Sequence, residues 1–361
     1  MAKKKSQQYV KEINDECKKK YGNIIKTGRD VLNNRRDHKM MSVSPSMDYG
    51  LNGGVKEGTV MIMSGADKSG KTTMALHIAA KHQNDPDFVK PDGTKGRKVF
   101  YFNSEERLDE KHLEGIRGLN PDDMVVLEKD KGKPCPPAEV LLNAALSVMR
   151  DPDNEGSIII IDSTSNMQSE KQASRGVSSS FSDMPKILAD FCRKFSPIIP
   201  EQKILMIIIT HLIANPQPYG PSKVPDCGNK IRHAADTILR IKSISRWFEK
   251  KDTGPQIGQE VHWVADCSTH GTPGTKIDSW LRYGIGIDEA KEAIEIGTQF
   301  GIIERSGAWF YPYGLDSEVK FQGAQKFQSW LEENPDYVKE VIDNIRLALS
   351  EPEDEDSEEE E

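Results

Sequence analysis

The run SGADKSGKTT, residues 64 to 73, sets two glycines five residues apart and follows the second at once with a lysine and two threonines. It fits the pattern GxxxxGK[ST] through Gly65, Gly70, Lys71 and Thr72. Glycines at those places permit a backbone path whose N–H groups, those of Ala66, Asp67, Lys68 and Ser69 among them, converge on phosphate oxygens. A helix starting at the lysine adds the positive end of its dipole. In that chemistry the Lys71 ammonium reaches the β and γ phosphates, the Thr72 hydroxyl takes a place on Mg²⁺, and Thr73 carries the cradle into the helix. The expected ligands are ATP and Mg²⁺.

Hydrolysis of a triphosphate also needs a carboxylate on the metal side and a group that orients the attacking water. Asp162 closes the apolar run SIIIID, residues 157 to 162, so it is expected at the carboxyl end of a buried strand, where open α/β sheets bind ligands. That place suits the metal side; the same aspartate would otherwise serve as a helix N-cap. Glu105 and Glu106 stand just past a second such run, KVFYF, at the same edge. Either can polarise a water, and spacing alone leaves both open.

These residues need a sheet to carry them, and the chain supplies short β-rich runs alternating with helical patterns. The runs are TVMIM (59–63), KVFYF (98–102), DMVVL (123–127), SIIIID (157–162) and ILMIIIT (204–210). Helical stretches begin at Lys71 and at Pro137. Continuous rather than alternating hydrophobicity marks strands covered on both faces, so the expected core is an α/β fold with a mostly parallel sheet. Residues 165–183 and 212–233 interrupt the rhythm just after two of these strands, and long intervals without evident periodicity are usually functional loops or disordered. Strand-like runs return at 237–244 and 260–266. From about Gly284 the character changes to a small module ending near Ser350.

Composition limits what else the chain can be. Among 361 residues the longest apolar run, ILMIII, falls far short of the ~20 residues that cross a bilayer, and MAKKKSQQ lacks the apolar core of a signal peptide. Five scattered cysteines without a CxxC pair argue against a disulfide framework or a structural zinc site. A cytoplasmic protein without membrane contact is expected. The final stretch, EPEDEDSEEEE, holds nine of the 57 acidic residues, and removing it takes the net charge from −8 to +1. Residues 1–40 carry twelve lysines and arginines against five acids. Like-charge blocks repel and are expected to stay unfolded. Near the start, Tyr9, Ile13, Cys17 and Tyr21 recur every four residues, a narrow stripe suited to docking on another surface.

Together these motifs resemble the RecA recombinase family. GADKSGKTT looks like its phosphate loop, YFNSEERLD is similar to its strand-and-glutamate segment, and IIIIDST resembles its second ATP motif. GIGIDEAKEAIEIGTQFGIIERSGAWFYPYG (284–314), with Gly307, Ala308 and Trp309, is similar to its C-terminal module. The resemblance implies a P-loop NTPase core of RecA type at 36–283, an oligomerisation helix and linker at 1–35, a small C-terminal α/β module at 284–350 and an acidic tail at 351–361. It aligns Glu105 with the water-activating glutamate. It implies a DNA-dependent ATPase that coats single-stranded DNA as a helical filament and exchanges strands with duplex DNA, served by single-strand-binding and mediator proteins.

Under the same resemblance the two interrupting intervals take the place of DNA-binding loops. Arg175, Lys223, Lys230 and Arg232 are then candidates for phosphate contacts, Ser178, Ser179 and Ser180 for hydrogen bonds, and Ile213 and Tyr219 for wedging or stacking between bases. His211 stands where bacterial members usually have a glutamine that senses the γ-phosphate, which is more like a phage-encoded, UvsX-like branch. His112 falls where adenine is expected to stack. The lysine pair that reaches a neighbouring subunit's ATP is missing from VADCSTHGTPGTK, where His270 and Lys276 are the substitutes at hand. Two competing readings are a hexameric helicase on the same core and a non-catalytic filament that uses ATP only as structural glue.

Overall fold

The computed structural model describes residues 22, 26, 28–174, 183–215, 222–250, 253–315 and 318–350, and the chain divides into two units, Met1–Lys39 and Met40–Glu361. In the first unit a helix spans Gly28–Arg36, with Val31 and Leu32 exposed. The expected stripe from Tyr9 to Tyr21 and the acidic tail both lie outside the described residues.

A nine-stranded sheet organises the second unit. In chain order its strands are β1 (Thr59–Ser64), β2 (Val99–Asn103), β3 (Met124–Leu127), β4 (Ile158–Asp162), β5 (Leu205–Thr210), β6 (Thr237–Lys250), β7 (Thr253–Ser268), β8 (Lys276–Arg282) and β9 (Gly286–Ile287). Across the sheet they run β9-β8-β7-β6-β1-β5-β4-β2-β3. From β6 to β3 neighbours are parallel, and β7, β8 and β9 add on in antiparallel fashion. The helices that cover it include α1 (Pro45–Gly50), α2 (Lys71–Gln83), α3 (Ala138–Arg150), α4 (Met184–Phe195) and α5 (Gly228–Ala234).

The continuous apolar runs follow from burial on both faces. Successive side chains of a strand point to opposite sides. Met61, Met63, Tyr101, Ile158, Ile160 and Ile207 therefore pack on one face with Met74, Leu76 and Ile78 of α2. Ile62, Phe100, Phe102, Ile159, Ile161 and Ile208 pack on the other with residues of α3 and α4, such as Leu142 and Phe191.

In two places the structure departs from the sequence-based expectation. β6 and β7 are 14 and 16 residues long, well beyond 237–244 and 260–266. Past Ile241 the β6 side chains from Lys242 to Arg246 are exposed, so no core-facing run marks that length of the strand, and the antiparallel ladder to β7, which keeps Val261 buried opposite Ile244, carries β6 onward. The intervals 165–183 and 212–233 also hold short elements: a helical turn at Glu170–Ala173, a hairpin pairing Leu212–Ala214 with Lys223–Pro225, and α5. Elements of three or four residues are too short to display a period. α5 is anchored through buried Ile231 and Cys227, which share a cluster with α4.

Beyond β9 the chain forms α6 (Glu289–Gln299), an antiparallel sheet of Ile303–Ser306, Trp309–Pro312 and Phe321–Gln322, then α7 (Ala324–Glu333) and α8 (Pro335–Ser350). These elements share a core of their own around Ile294, Phe310, Phe327 and Val341. Phe321 and Phe327 stack there with centroids 5.1 Å apart. Buried Glu292 ties α6 to the rest: its carboxylate accepts from the Ser46 N–H of α1 at 3.0 Å and from the Ser279 hydroxyl of β8 at 2.5 Å.

Candidate nucleotide site and adjoining loops

The carboxyl ends of β1, β2, β4 and β5 finish level, because Ser64 pairs with Thr210, and Asp162 with both Asn103 and Ile209. Everything that follows these four strands is delivered to one rim of the sheet. After β1 the chain turns through Gly65–Gly70 into α2. Gly70 caps that helix with φ 101°, and Lys68 also adopts positive φ. Side chains are excluded at both ends of the turn: a Cβ on Gly65 would lie 2.9 Å from Ile241 Cβ, and one on Gly70 2.9 Å from Leu281 Cδ1.

Lys71 is 6% exposed and its Nζ donates to the carbonyls of Gly65 at 3.1 Å and Ala66 at 2.6 Å. Burial lowers its proton affinity, while the nearby Asp162, Asp67 and Glu105 carboxylates favour the charged form. Ser69 donates to the Ala66 carbonyl at 2.6 Å, bracing the turn. Thr72, one residue into α2, donates to Asp162 Oδ2 at 2.7 Å. Burial pushes the Asp162 carboxyl up, and hydrogen bonds from Tyr101 and Thr72 oppose it. A hydroxyl and a carboxylate side by side form an all-oxygen donor pair, which fits a hard cation such as Mg²⁺.

Glu105 and Glu106 part company. The Glu105 side chain is 9% exposed and turned into the rim: Oε1 accepts from the Ser163 hydroxyl and faces His211 Nε2 at 3.0 Å, and Oε2 lies 3.4 Å from Arg107. Glu106, at φ 53°, points outward to Lys129 at 3.1 Å. The other nitrogen of His211, Nδ1, is 2.9 Å from Asp67 Oδ1, so the imidazole bridges the phosphate-loop turn and Glu105. A neutral imidazole has one N–H and serves one carboxylate, whereas the doubly protonated ring serves both.

The neighbouring loops are fastened to the same rim. The His211 N–H donates to Ser165 Oγ at 2.9 Å, Asp226 N–H to the His211 carbonyl at 3.0 Å, and Thr164 Oγ1 to the Asp226 carbonyl at 3.0 Å. A cleft of about 660 Å³ opens between Gly65–Asp67, His211, Lys223, Arg240 and Lys242, a size usual for small-molecule sites. Lys223 and Ile213 are exposed on the hairpin, Lys230 is exposed on α5, and Arg232 is half-buried with no hydrogen-bond partner for Nε among the described residues. Arg175, Ser178, Ser179, Ser180 and Tyr219 lie outside the described residues.

The structure does not gather His112 into this constellation. Its ring closes a capping box with Asp109 on the short helix Glu110–Leu113, Nδ1 2.8 Å from Oδ1. His270 and Lys276 are exposed around the turn between β7 and β8. Residues that motif spacing missed are Ser163, Ser165 and Tyr101. For Tyr101 a signal existed: a tyrosine amid aliphatic strand residues must find a partner for its hydroxyl when buried.

Residues 6–288 match the RecA N-terminal domain, and residues 291–350 the RecA C-terminal domain. The chain belongs to the RecA family. Protein RecA of Nitrobacter winogradskyi is 25% identical over 329 residues, which make up 90% of this chain and 83% of that one. Protein RecA of Oleidesulfovibrio alaskensis is also 25% identical, over 342 residues, 92% of this chain and 88% of its own. A solved structure, the RadB recombinase, superposes with a TM-score of 0.48 at 18% identity, covering 69% of this chain and 98% of that one. Both RecA family domains are thus present, the phosphate loop, Asp162, Glu105 and both interrupting loops in the first, and Gly307, Ala308 and Trp309 in the second. Among the described residues no helix is long and apolar enough to cross a membrane.

Proposed function

We propose that this protein is an ATP-dependent DNA recombinase that assembles as a helical filament on single-stranded DNA and exchanges it with homologous duplex. The observation that carries the reading is the His211 bridge. One side chain, at the start of the second DNA-loop candidate, touches both the phosphate-loop turn through Asp67 and the candidate base Glu105. A contact of that kind joins nucleotide chemistry to the state of a DNA-facing loop.

In this reading the turn 65–70 and Lys71 hold the triphosphate, and Thr72 with Asp162 hold Mg²⁺, which neutralises charge on the phosphate oxygens when bound. Glu105 accepts a hydrogen bond from the attacking water and orients it, its own carboxylate fixed by Ser163 and His211. Lys223, Lys230 and Arg232, with Arg175 and Ser178–Ser180, meet DNA phosphates, and Ile213 and Tyr219 contact bases. The family resemblance alone assigns adenine stacking to His112, whose ring must first leave its contact with Asp109, and leaves His270 or Lys276 to face a neighbouring subunit's nucleotide. The histidine at position 211 favours a phage-type relative. Partner proteins that load the filament or clear single-stranded DNA are expected from the same reading.

The test is ATP turnover with and without single-stranded DNA, electron microscopy of the ATP-bound complex, and a pairing assay with homologous and unrelated duplex. DNA-stimulated turnover, filaments and homology-dependent joint molecules are expected. Closed rings with unwinding activity would replace this reading by a helicase, and filaments without turnover would replace it by a passive coat.

A further inference from the structure

The metal-side carboxylate carries a hydroxyl contact that the chemistry above does not use. Tyr101 lies in the middle of β2 and is 1% exposed. It shares the α2 face with Ile160, its register partner on β4, and Asp162 is the next β4 residue on that face. Its hydroxyl donates to Asp162 Oδ2 at 2.6 Å, the oxygen that also accepts from Thr72 at 2.7 Å. Two O–H donors converge on one oxygen of a carboxylate that is itself 6% exposed. Among the described residues Oδ1 takes no hydrogen bond, so the two ends of the carboxylate are not equivalent.

We propose that Tyr101 is a positioning residue for Mg²⁺ binding: with Thr72 it locks the rotation of the Asp162 carboxylate and reserves Oδ1 for the metal's coordination sphere. The proposal rests on the nucleotide-site reading and goes one step further. A carboxylate held by Thr72 alone must release its only donor when that hydroxyl turns to the metal. One held also by Tyr101 keeps its orientation through the exchange. Tyr101 touches neither substrate nor metal and acts through Asp162. A hydrogen bond to a buried charged group contributes enough that its loss changes an equilibrium constant about tenfold.

The test uses the full chain and a fluorescent ATP analogue, titrated with Mg²⁺ and again in chelator, for the parent and for Tyr101→Phe. Phe keeps the ring in the core and removes only the hydroxyl. The expected result is that half-saturating Mg²⁺ for tight nucleotide binding rises about five- to tenfold while metal-free affinity stays within about twofold. Tyr101→Met, which removes the same hydroxyl with a different shape, must shift the Mg²⁺ curve alike. An unchanged Mg²⁺ curve overturns the proposal, as does an equal loss of metal-free affinity, which would make Tyr101 a scaffold for the phosphate loop. A shift in only one variant marks a packing effect and overturns it too. A parent chain whose nucleotide binding ignores Mg²⁺ overturns the site reading itself; a Mg²⁺-responsive parent with an indifferent Tyr101→Phe overturns this proposal alone.

Discussion

Lys71 and Glu105 are predicted to fail in different ways when replaced. Lys71→Ala removes a charge that meets the ground-state phosphates, so productive ATP binding is lost. Glu105→Gln keeps the shape and the Ser163 contact but weakens the base, so binding persists and turnover falls, by about 10² or more. Equilibrium binding and steady-state turnover on both variants separate the two. The Glu106 side chain turns to Lys129 instead of the rim, so Glu106→Gln is expected to hydrolyse normally. His211→Ala should bind ATP yet lose the dependence of turnover on DNA, because the bridge between Asp67 and Glu105 disappears with its ring. The ratio of rates with and without single-stranded DNA then falls to about one, and a retained ratio would remove His211 from the coupling.

At the scale of elements, the parallel strands β1 to β5, α2 and α3 were legible because strands buried on both faces and a helix beginning at a glycine–lysine junction leave continuous local signatures. Asp162 was legible for a related reason, since it closes such a strand, whereas position past the strand left Glu105 and Glu106 both open and only the family resemblance singled out Glu105. The hairpin Leu212–Ala214/Lys223–Pro225 was not, being three residues per strand, with Ile213 exposed and no alternation to read. Ser163, Ser165 and Tyr101 escaped because each acts across strands, and pairing between distant segments is invisible to spacing along one of them. The hairpin carries its own prediction. Lys223 stands exposed opposite Ala214 at the loop end of the hairpin and lines the cleft, so Lys223→Ala should weaken single-stranded DNA binding for every sequence and reduce the slope of log affinity against log salt by about 0.7, the value for one lost phosphate contact. A salt titration of binding to two unrelated oligonucleotides measures it.

For the whole molecule, attachment of the C-terminal elements is coupled to pH through buried acids. Asp48 of α1 has no exposure, accepts from Ser42 at 2.5 Å and from Val43 N–H at 2.7 Å, and faces Lys81 and Arg346. Desolvation raises its carboxyl from 3.8 to about 6, and burial moves Glu292 in the same direction. Between those pH values the folded form binds more protons than the unfolded one, so this part of the stability is full below about pH 4 and is lost as pH rises through about 6. For Asp48 it amounts to about 3 kcal/mol. Asp48→Asn is expected to flatten the slope and to be more stable than the parent at pH 8 in denaturant titrations. The tail yields a separate prediction: nine carboxylates in residues 351–361 compete with DNA phosphate for basic surface. Their removal should strengthen duplex binding most at 0.01 M salt, where the Debye length is about 30 Å, and little at 0.15 M, where it is about 8 Å. Equal affinity of both forms across the titration would leave the tail without that role. Finally, the close approach of Ile241 and Leu281 to Gly65 and Gly70 has a meaning in time. The glycine-rich turn is synthesised early, and the two aliphatic side chains that shape it emerge only with β6 and β8. A ribosome that has not yet passed Leu281 carries the motif without its mould, so nucleotide capture by nascent chains of increasing length would date the moment at which the fold becomes competent.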